Sequence, residues 1–179
     1  LEYGIERLMA SGAPLPVAFR AGNYGANDDT LAALGDCGIA YDTSFPSGLA
    51  GGDCRISAPL GRVAPFRRGS VVEVPISSIR EWEGRFRHAQ IAALSAGEME
   101  AAVRHATHAG WPAFVLVSHS FELFNRVKGV SNPVLVRRFE RFCEWLGQFP
   151  GAKTMGFGEA GLGVGKERLE LMPHRPLRT

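Results

Sequence analysis

The spacing of apolar residues along the chain changes between the helical and the strand period several times. Apolar runs bounded by Gly, Pro or Asn predict strands at 16–19, 39–45, 71–77, 113–119 and 153–157. Residues at helical spacing predict helices at 1–11, from Asn27 to about Gly38, from Ser95 to about His108, and from Asn132–Pro133 to about Phe149. This order of elements predicts an α/β domain with parallel strand pairing.

Two segments do not fit the pattern. Gly and Pro recur in 46–70, which predicts a long irregular excursion. Residues 158–179 are Gly-rich and then charged, which predicts a loosely held tail after a domain at 1–157. The first helix begins without an N-terminal cap, so we expect the chain to be a fragment or to start inside a larger domain.

Charge and cysteine content argue against several classes of protein. The 20 basic and 18 acidic residues are scattered and give a formal charge of +2, which argues against a nucleic-acid partner. The three cysteines are widely spaced, which argues against a disulfide framework and a cysteine zinc site. No apolar stretch reaches the length of a membrane span and no secretory leader is visible, so a cytoplasmic location is favoured for the visible part.

The carboxyl ends of two predicted strands carry residues with chemistry. His119 follows the apolar run 113–117 and is a candidate general acid, general base or metal ligand, or a structural His. Arg20 ends the first strand, where a carboxylate would be its natural partner. Loops at the carboxyl ends of parallel strands are positioned by a rigid sheet, so both positions are candidate functional sites.

The loop "RAGNYG" predicts a ligand contact near Arg20. Gly22 and Gly25 would let the backbone approach a ligand, and Tyr24 offers a flat face suited to a sugar ring. Asp42, at the end of the next strand, could pair with Arg20 or His119, and a carboxylate beside that imidazole would raise its pKa.

Other candidate metal ligands have ordinary explanations. His105 and His108 share a helix face without a third ligand nearby, and Asp28 and Asp29 suit the first turn of a helix.

The stretches "FRAGNYGANDDTLAALGDCGIAYDTSF" (19–45) and "FVLVSHSFEL" (114–123) resemble the carboxyl-terminal two-thirds of a polysaccharide deacetylase of the NodB-homology type, also called carbohydrate esterase 4. The resemblance spans about 15–157 and is absent from 46–70. It implies a distorted (β/α) barrel whose N-terminal strands are missing here. It also implies a hydrolase that uses a divalent metal, usually zinc, to remove N- or O-acetyl groups from a sugar or polysaccharide.

The resemblance assigns roles to individual residues. "RAGNYG" is similar to the family's R-x-P-Y-type wall motif, which implies that Arg20 holds the catalytic aspartate and that Gly22, Asn23 and Tyr24 contact substrate. Val117-Ser118-His119 is similar to the family's last motif, which implies that His119 protonates the leaving group and that Val117 contacts substrate. Asp42 would be the carboxylate that tunes that His, although the family's D-x-x-D-W pattern is not reproduced.

Other parts of the family pattern differ. The Pro of the wall motif is replaced and one extra residue separates Arg20 from Tyr24, which suggests a differently shaped groove. The metal-binding aspartates and paired His of the family would precede Leu1. We therefore expect no metal ligands, no stoichiometric zinc and no activity in this chain alone.

Two other functions remain open. The chain could be a non-catalytic carbohydrate-binding or scaffold protein with the same groove, or a different hydrolase with the same α/β order. The sequence does not specify the sugar, the choice of amide or ester, or the oligomeric state.

Overall fold

The computed structural model describes residues 1–48, 52–81, 86–159 and 161–162 of the chain. Within these ranges the helices are α1 (Glu2–Ala10), α2 (Asp28–Asp36), α3 (Ala96–His108), α4 (Ser120–Leu123) and α5 (Pro133–Gln148), with a short 3-10 turn at Gly22–Tyr24. The strands are β1 (Ala18–Phe19), β2 (Tyr41–Asp42), β3 (Phe66–Arg68), β4 (Val71–Glu73), β5 (Ser78–Arg80), β6 (Phe86–His88), β7 (Phe124–Asn125) and β8 (Val130–Ser131).

The central sheet has the order β1-β2-β4-β3. Strands β1, β2 and β4 are parallel, with Phe19 opposite Asp42 and Asp42 opposite Glu73, while β3 pairs antiparallel to β4. The predicted parallel pairing is confirmed for these three strands, although each strand is shorter than its apolar run. The described strands form three sheets, none of them closed, so the barrel remains a prediction.

Backbone hydrogen bonds extend the ladder past β4. The N–H of Val74 donates to Asp42 O at 2.8 Å, and the N–H of Ser77 donates to Val115 O at 3.3 Å. The N–H of Val117 in turn donates to Ala89 O at 2.7 Å. The segments 71–77, 89–91 and 115–117 are therefore linked side by side, and the chain that follows them leads to His119.

Helices α2, α3 and α5 begin at the predicted caps. The Asn27 side chain accepts from the backbone N–H of Thr30 at 2.8 Å, and the Ser95 side chain accepts from that of Glu98 at 3.2 Å. Asn132 caps α5 through the N–H of Leu135 at 3.4 Å. Such side chains satisfy N–H groups that have no partner in the first turn.

Two clusters of buried apolar residues hold the elements together. One cluster packs α2 against the central sheet, and the other packs α3 against α5 and the 113–117 segment. The buried members include Leu31, Leu34 and Val71 in the first cluster, and Met99, Val103, Trp111 and Phe142 in the second. Helix α1 contains no buried residue.

Three predictions of local structure were wrong. The irregular region 46–70 contains β3, in which Phe66 is buried and Gly69 makes the turn into β4 with φ +56°. Within 113–119, Val117 makes an isolated bridge to Gln90 and no regular strand forms, because residues 113–116 are half-buried along a cavity rather than buried on both faces. Residues 153–157 also form no strand. Most of the predicted tail lies outside the described residues.

Candidate functional site

Arg20 is exposed directly after β1. Its Nε donates to the backbone carbonyl of Thr43 at 3.2 Å, which ties the end of β1 to the chain after β2. Among the described residues, no carboxylate lies within ion-pair distance of Arg20. The expected carboxylate partner is therefore not found in this part of the chain, and because the guanidinium is exposed it needs no compensating charge.

The loop after Arg20 has unusual backbone geometry. Asn23 and Tyr24 have φ values of 51° and 59°, a left-handed conformation that is uncommon for any residue other than Gly and rarer still for a bulky one. The Asn23 amide donates to the Asp53 carboxylate, which holds the turn in place. Strained backbone of this kind is often found at ligand sites.

The predicted role of the two glycines changes accordingly. Gly25 has an ordinary φ of −71°, so the left-handed positions are Asn23 and Tyr24. A Cβ atom added at Gly22 would meet nothing within 4 Å. The space beside Gly22 is therefore open, and its predicted contact with a substrate stays a prediction.

Tyr24 contacts strand β6 through His88. Its ring packs against the ring of His88 with centroids 5.0 Å apart and the planes tilted by 43°. Burial raises the pKa of the Tyr24 phenol, the nearby charge of Arg20 lowers it, and that of Glu122 raises it, with a raised pKa as the result. The charges of Arg20 and Glu122 therefore both act on the pKa of the Tyr24 phenol, in opposite directions.

His119 forms a pair with Glu122. His119 Nδ1 lies 3.3 Å from Glu122 Oε1, and the His119 backbone N–H donates to Glu122 Oε2 at 3.2 Å. The Gln90 amide also donates to Glu122. The side chain of His119 is 45% exposed and that of Glu122 only 8%. The imidazole of His119 is therefore accessible to solvent, and the carboxylate of Glu122, itself fixed by hydrogen bonds, orients it.

Phe121 and Val117 complete the surroundings of His119. The exposed ring of Phe121 stacks on the imidazole at 4.8 Å and 26°. Val117 is buried, with 1% exposure, and pairs with Gln90. The Val117 side chain is therefore not available to touch a substrate as predicted, and this residue instead sets the register between His119 and Gln90.

Asp42 does not orient His119. It is fully buried, and its carboxylate accepts from the backbone N–H of Ser44 at 3.0 Å and from the Ser44 hydroxyl at 2.9 Å. Its neighbour across the ladder is Glu73, which is also fully buried. The prediction that Asp42 pairs with Arg20 or His119 was wrong, because the side chain points into the sheet interior and Glu122 takes that place.

Sequence analysis missed His88, Gln90 and Glu122. Burial lowers the pKa of His88, and its Nδ1 is buried without a hydrogen-bond partner among the described residues. The spacing of His119 and Glu122 is that of a capping box, with a His in the position usually held by Ser or Thr. The capping-box spacing could have predicted Glu122 from the sequence. His88 and Gln90 are brought to the site by pairing with other segments, which the sequence does not show.

The described residues do not fit the metal site of the resembled family. A zinc site needs at least three protein ligands, and this part of the chain has no group of three His, Cys, Asp or Glu side chains placed to hold an ion. Asp42–Glu73 and His119–Glu122 each offer two such side chains. No reaction step is therefore assigned to a metal here.

No family model, curated protein or solved structure matches this chain. The likeness to polysaccharide deacetylases thus rests on the motifs alone. In the described ranges, no helix has the length and apolar character needed to cross a membrane.

Proposed function

We propose that this chain carries the substrate wall and the general acid of a carbohydrate deacetylase-type hydrolase, acting on N- or O-acetyl groups of a sugar or polysaccharide. The observation that supports this best is the His119–Glu122 pair, with its exposed imidazole and nearly buried carboxylate. The ring of Tyr24 packs on His88, two residues before Gln90, whose amide donates to Glu122. The likeness of the Arg20–Tyr24 loop to the family's wall motif points to a sugar.

His119 would act when the tetrahedral intermediate of acetyl hydrolysis collapses. The bond from the acetyl carbon to the sugar nitrogen or oxygen breaks, and its electron pair passes to the sugar atom. Protonated His119 donates its Nε2 proton to that atom, so the sugar leaves as a neutral amine or alcohol. Glu122 accepts a hydrogen bond from Nδ1–H and stabilises the imidazolium before transfer.

The Arg20–Tyr24 loop would position the sugar. The Tyr24 ring offers an apolar face for a pyranose ring, and the exposed Arg20 guanidinium offers several donors to sugar hydroxyls. The groups that activate the attacking water are not assigned among the described residues. In members of the resembled family a divalent metal, usually zinc, supplies that chemistry.

The test is acetate release by the product of the complete reading frame, with acetylated chitooligosaccharides and an acetylated xylan as substrates. His119→Ala should lower kcat about 100-fold or more, the usual contribution of a general acid, with an unchanged circular dichroism spectrum. Glu122→Gln should lower kcat less. His108→Ala, on the exposed end of α3, is the matched control. Equal turnover by wild type and His119→Ala would refute the assignment.

A binding protein is the second candidate, favoured by the aromatic surface around the site. Phe121 is 61% exposed and stacks on His119, and such exposed rings are common platforms for sugars. This candidate predicts sugar binding that is lost in Tyr24→Ala and no acetate release from the complete product. Absence of both binding and release would refute both candidates.

A further inference from the structure

A cavity of about 730 Å³ is bordered by Arg20 but not by His119. Its walls come from the end of α3, one face of α5, the extended segment 113–116 and the segment 151–157. Small-molecule sites typically have volumes of roughly 300–1,000 Å³. The cavity is therefore large enough for an organic ligand and is distinct from the surface that carries His119.

The lining of the cavity is mainly apolar. Side chains from every wall contribute, among them Val74, Val103, Val115, Phe139, Leu146 and Met155. Apolar surface that is covered by a ligand here leaves water, which favours the bound state. A hydrocarbon chain would therefore be bound favourably.

The charges of the lining have one sign. Arg20 and Lys153 both border the cavity, and none of its described lining residues is Asp or Glu. Both side chains are exposed, and neither forms an ion pair with a carboxylate in the described ranges. Two cations at the solvent edge of an apolar space suit a ligand with an anionic head and an apolar tail.

We propose that this cavity binds a straight-chain carboxylate, with the hydrocarbon chain among the apolar side chains and the carboxylate between Arg20 and Lys153. The ligand would use none of the atoms of the His119–Glu122 pair. Binding therefore does not need the proposed proton donation by His119, and Arg20 is the one residue that the cavity shares with the proposed sugar-binding loop.

Fluorescence quenching by dodecanoate with bromine on its terminal carbon tests the proposal in the 179-residue chain. Trp111 lines the cavity, whereas Trp145 packs in the adjacent core outside the lining. In a Trp82→Phe background and below the micellar concentration, we expect saturable quenching that Trp111→Phe largely removes and Trp145→Phe keeps. Lys153→Gln should weaken binding roughly 5- to 10-fold, the effect of losing one charge-assisted contact of about 1–1.4 kcal/mol.

Competition distinguishes a specific site from general hydrophobic binding. Unlabelled dodecanoate should displace the brominated ligand, whereas dodecyltrimethylammonium should not. Equal displacement by both amphiphiles would overturn the anion assignment, as would unchanged affinity in both Lys153→Gln and Arg20→Gln. Quenching that persists in Trp111→Phe, or no saturable quenching in the wild type, would overturn the site itself.

Discussion

Replacing Glu73 by Gln should remove a pH dependence of stability caused by the buried Asp42–Glu73 pair. Both side chains are fully buried on neighbouring strands. Glu73 Oε1 accepts from the Phe45 backbone N–H at 2.9 Å, and Oε2 has no hydrogen-bond partner among the described residues. Burial, and then the adjacent Asp42 carboxyl, raise the pKa of Glu73 well above its ordinary value.

The raised pKa fixes the sign of the effect. An unfolded Glu loses its proton near pH ~4.3, whereas the folded chain keeps that proton to higher pH. Between these two pKa values the folded state binds one more proton than the unfolded state. The free energy of unfolding therefore falls by about 1.4 kcal/mol per pH unit in that window. The stabilisation is complete below the unfolded pKa and is lost as the pH rises through the folded pKa.

The Glu73→Gln variant would imitate the protonated acid without titrating at this position. The new amide oxygen can accept from the Phe45 N–H, and the new NH₂ group can donate to Asp42. Urea unfolding should be measured from about pH 5 to about pH 8, with equal m-values as the check that both proteins unfold alike. Because the variant imitates the protonated acid, its stability should be close to that of wild type at low pH, and it should gain on wild type by up to about 1.4 kcal/mol per pH unit as the pH rises.

The control is Glu140→Gln on the exposed side of α5, which should leave the pH profile of wild type unchanged. If the Glu73→Gln and wild-type profiles run parallel over the whole range, Glu73 does not hold an extra proton in the folded state. That result would refute the reasoning from burial.

Substitutions at three positions, Asn23, Gly48 and Gly97, test the backbone. The variants Asn23→Ala and Asn23→Gly both lose the hydrogen bond to Asp53, but only Gly tolerates a φ of 51°. In urea unfolding, the Asn23→Ala variant should therefore be less stable than the Asn23→Gly variant by about 1 kcal/mol. Equal stabilities would contradict left-handed strain at this turn. Gly48→Ala would place a Cβ atom 2.6 Å from Ser78 Cβ and 3.0 Å from Phe86 Cβ, and should cost about 1–3 kcal/mol. Gly97→Ala in α3 meets nothing within 4 Å and should be neutral or stabilising, so similar losses in both glycine variants would count against the packing explanation.

Helices with local start signals could be predicted from the sequence, and short strands could not. Asn27, Ser95 and Asn132 each cap the helix expected of them, because a cap and its first turn are neighbours in the chain. Strand β3 depends on pairing with β4, and β6 depends on pairing with β5. The Gly and Pro residues around Phe66 concealed that pairing, because sequence periodicity reports burial within one segment and contains no information on its partner.

The difference between local signals and contacts with distant segments also explains which site residues could be predicted. His119 and the Arg20–Tyr24 loop were identified because each follows an apolar run. The choice of carboxylate failed because Asp42 and Glu122 are equally plausible as residue types, and only the direction of each side chain decides between them. In a strand, successive side chains point to opposite faces, and the residue type alone does not say which face Asp42 takes.

The two halves of the site are connected through one segment of the sheet. Residues 71–77 hold the Asp42 strand through Val74 N–H and hold the 115–117 segment through Ser77 N–H. The first contact supports the Thr43 carbonyl that anchors Arg20, and the second leads to His119. Because Glu73 lies in that segment and bonds Phe45, its protonation should affect both halves together. A Glu73→Ala variant, which loses that bond, is therefore expected to weaken the proposed sugar binding and the proposed proton donation in parallel, whereas Glu73→Gln should preserve both.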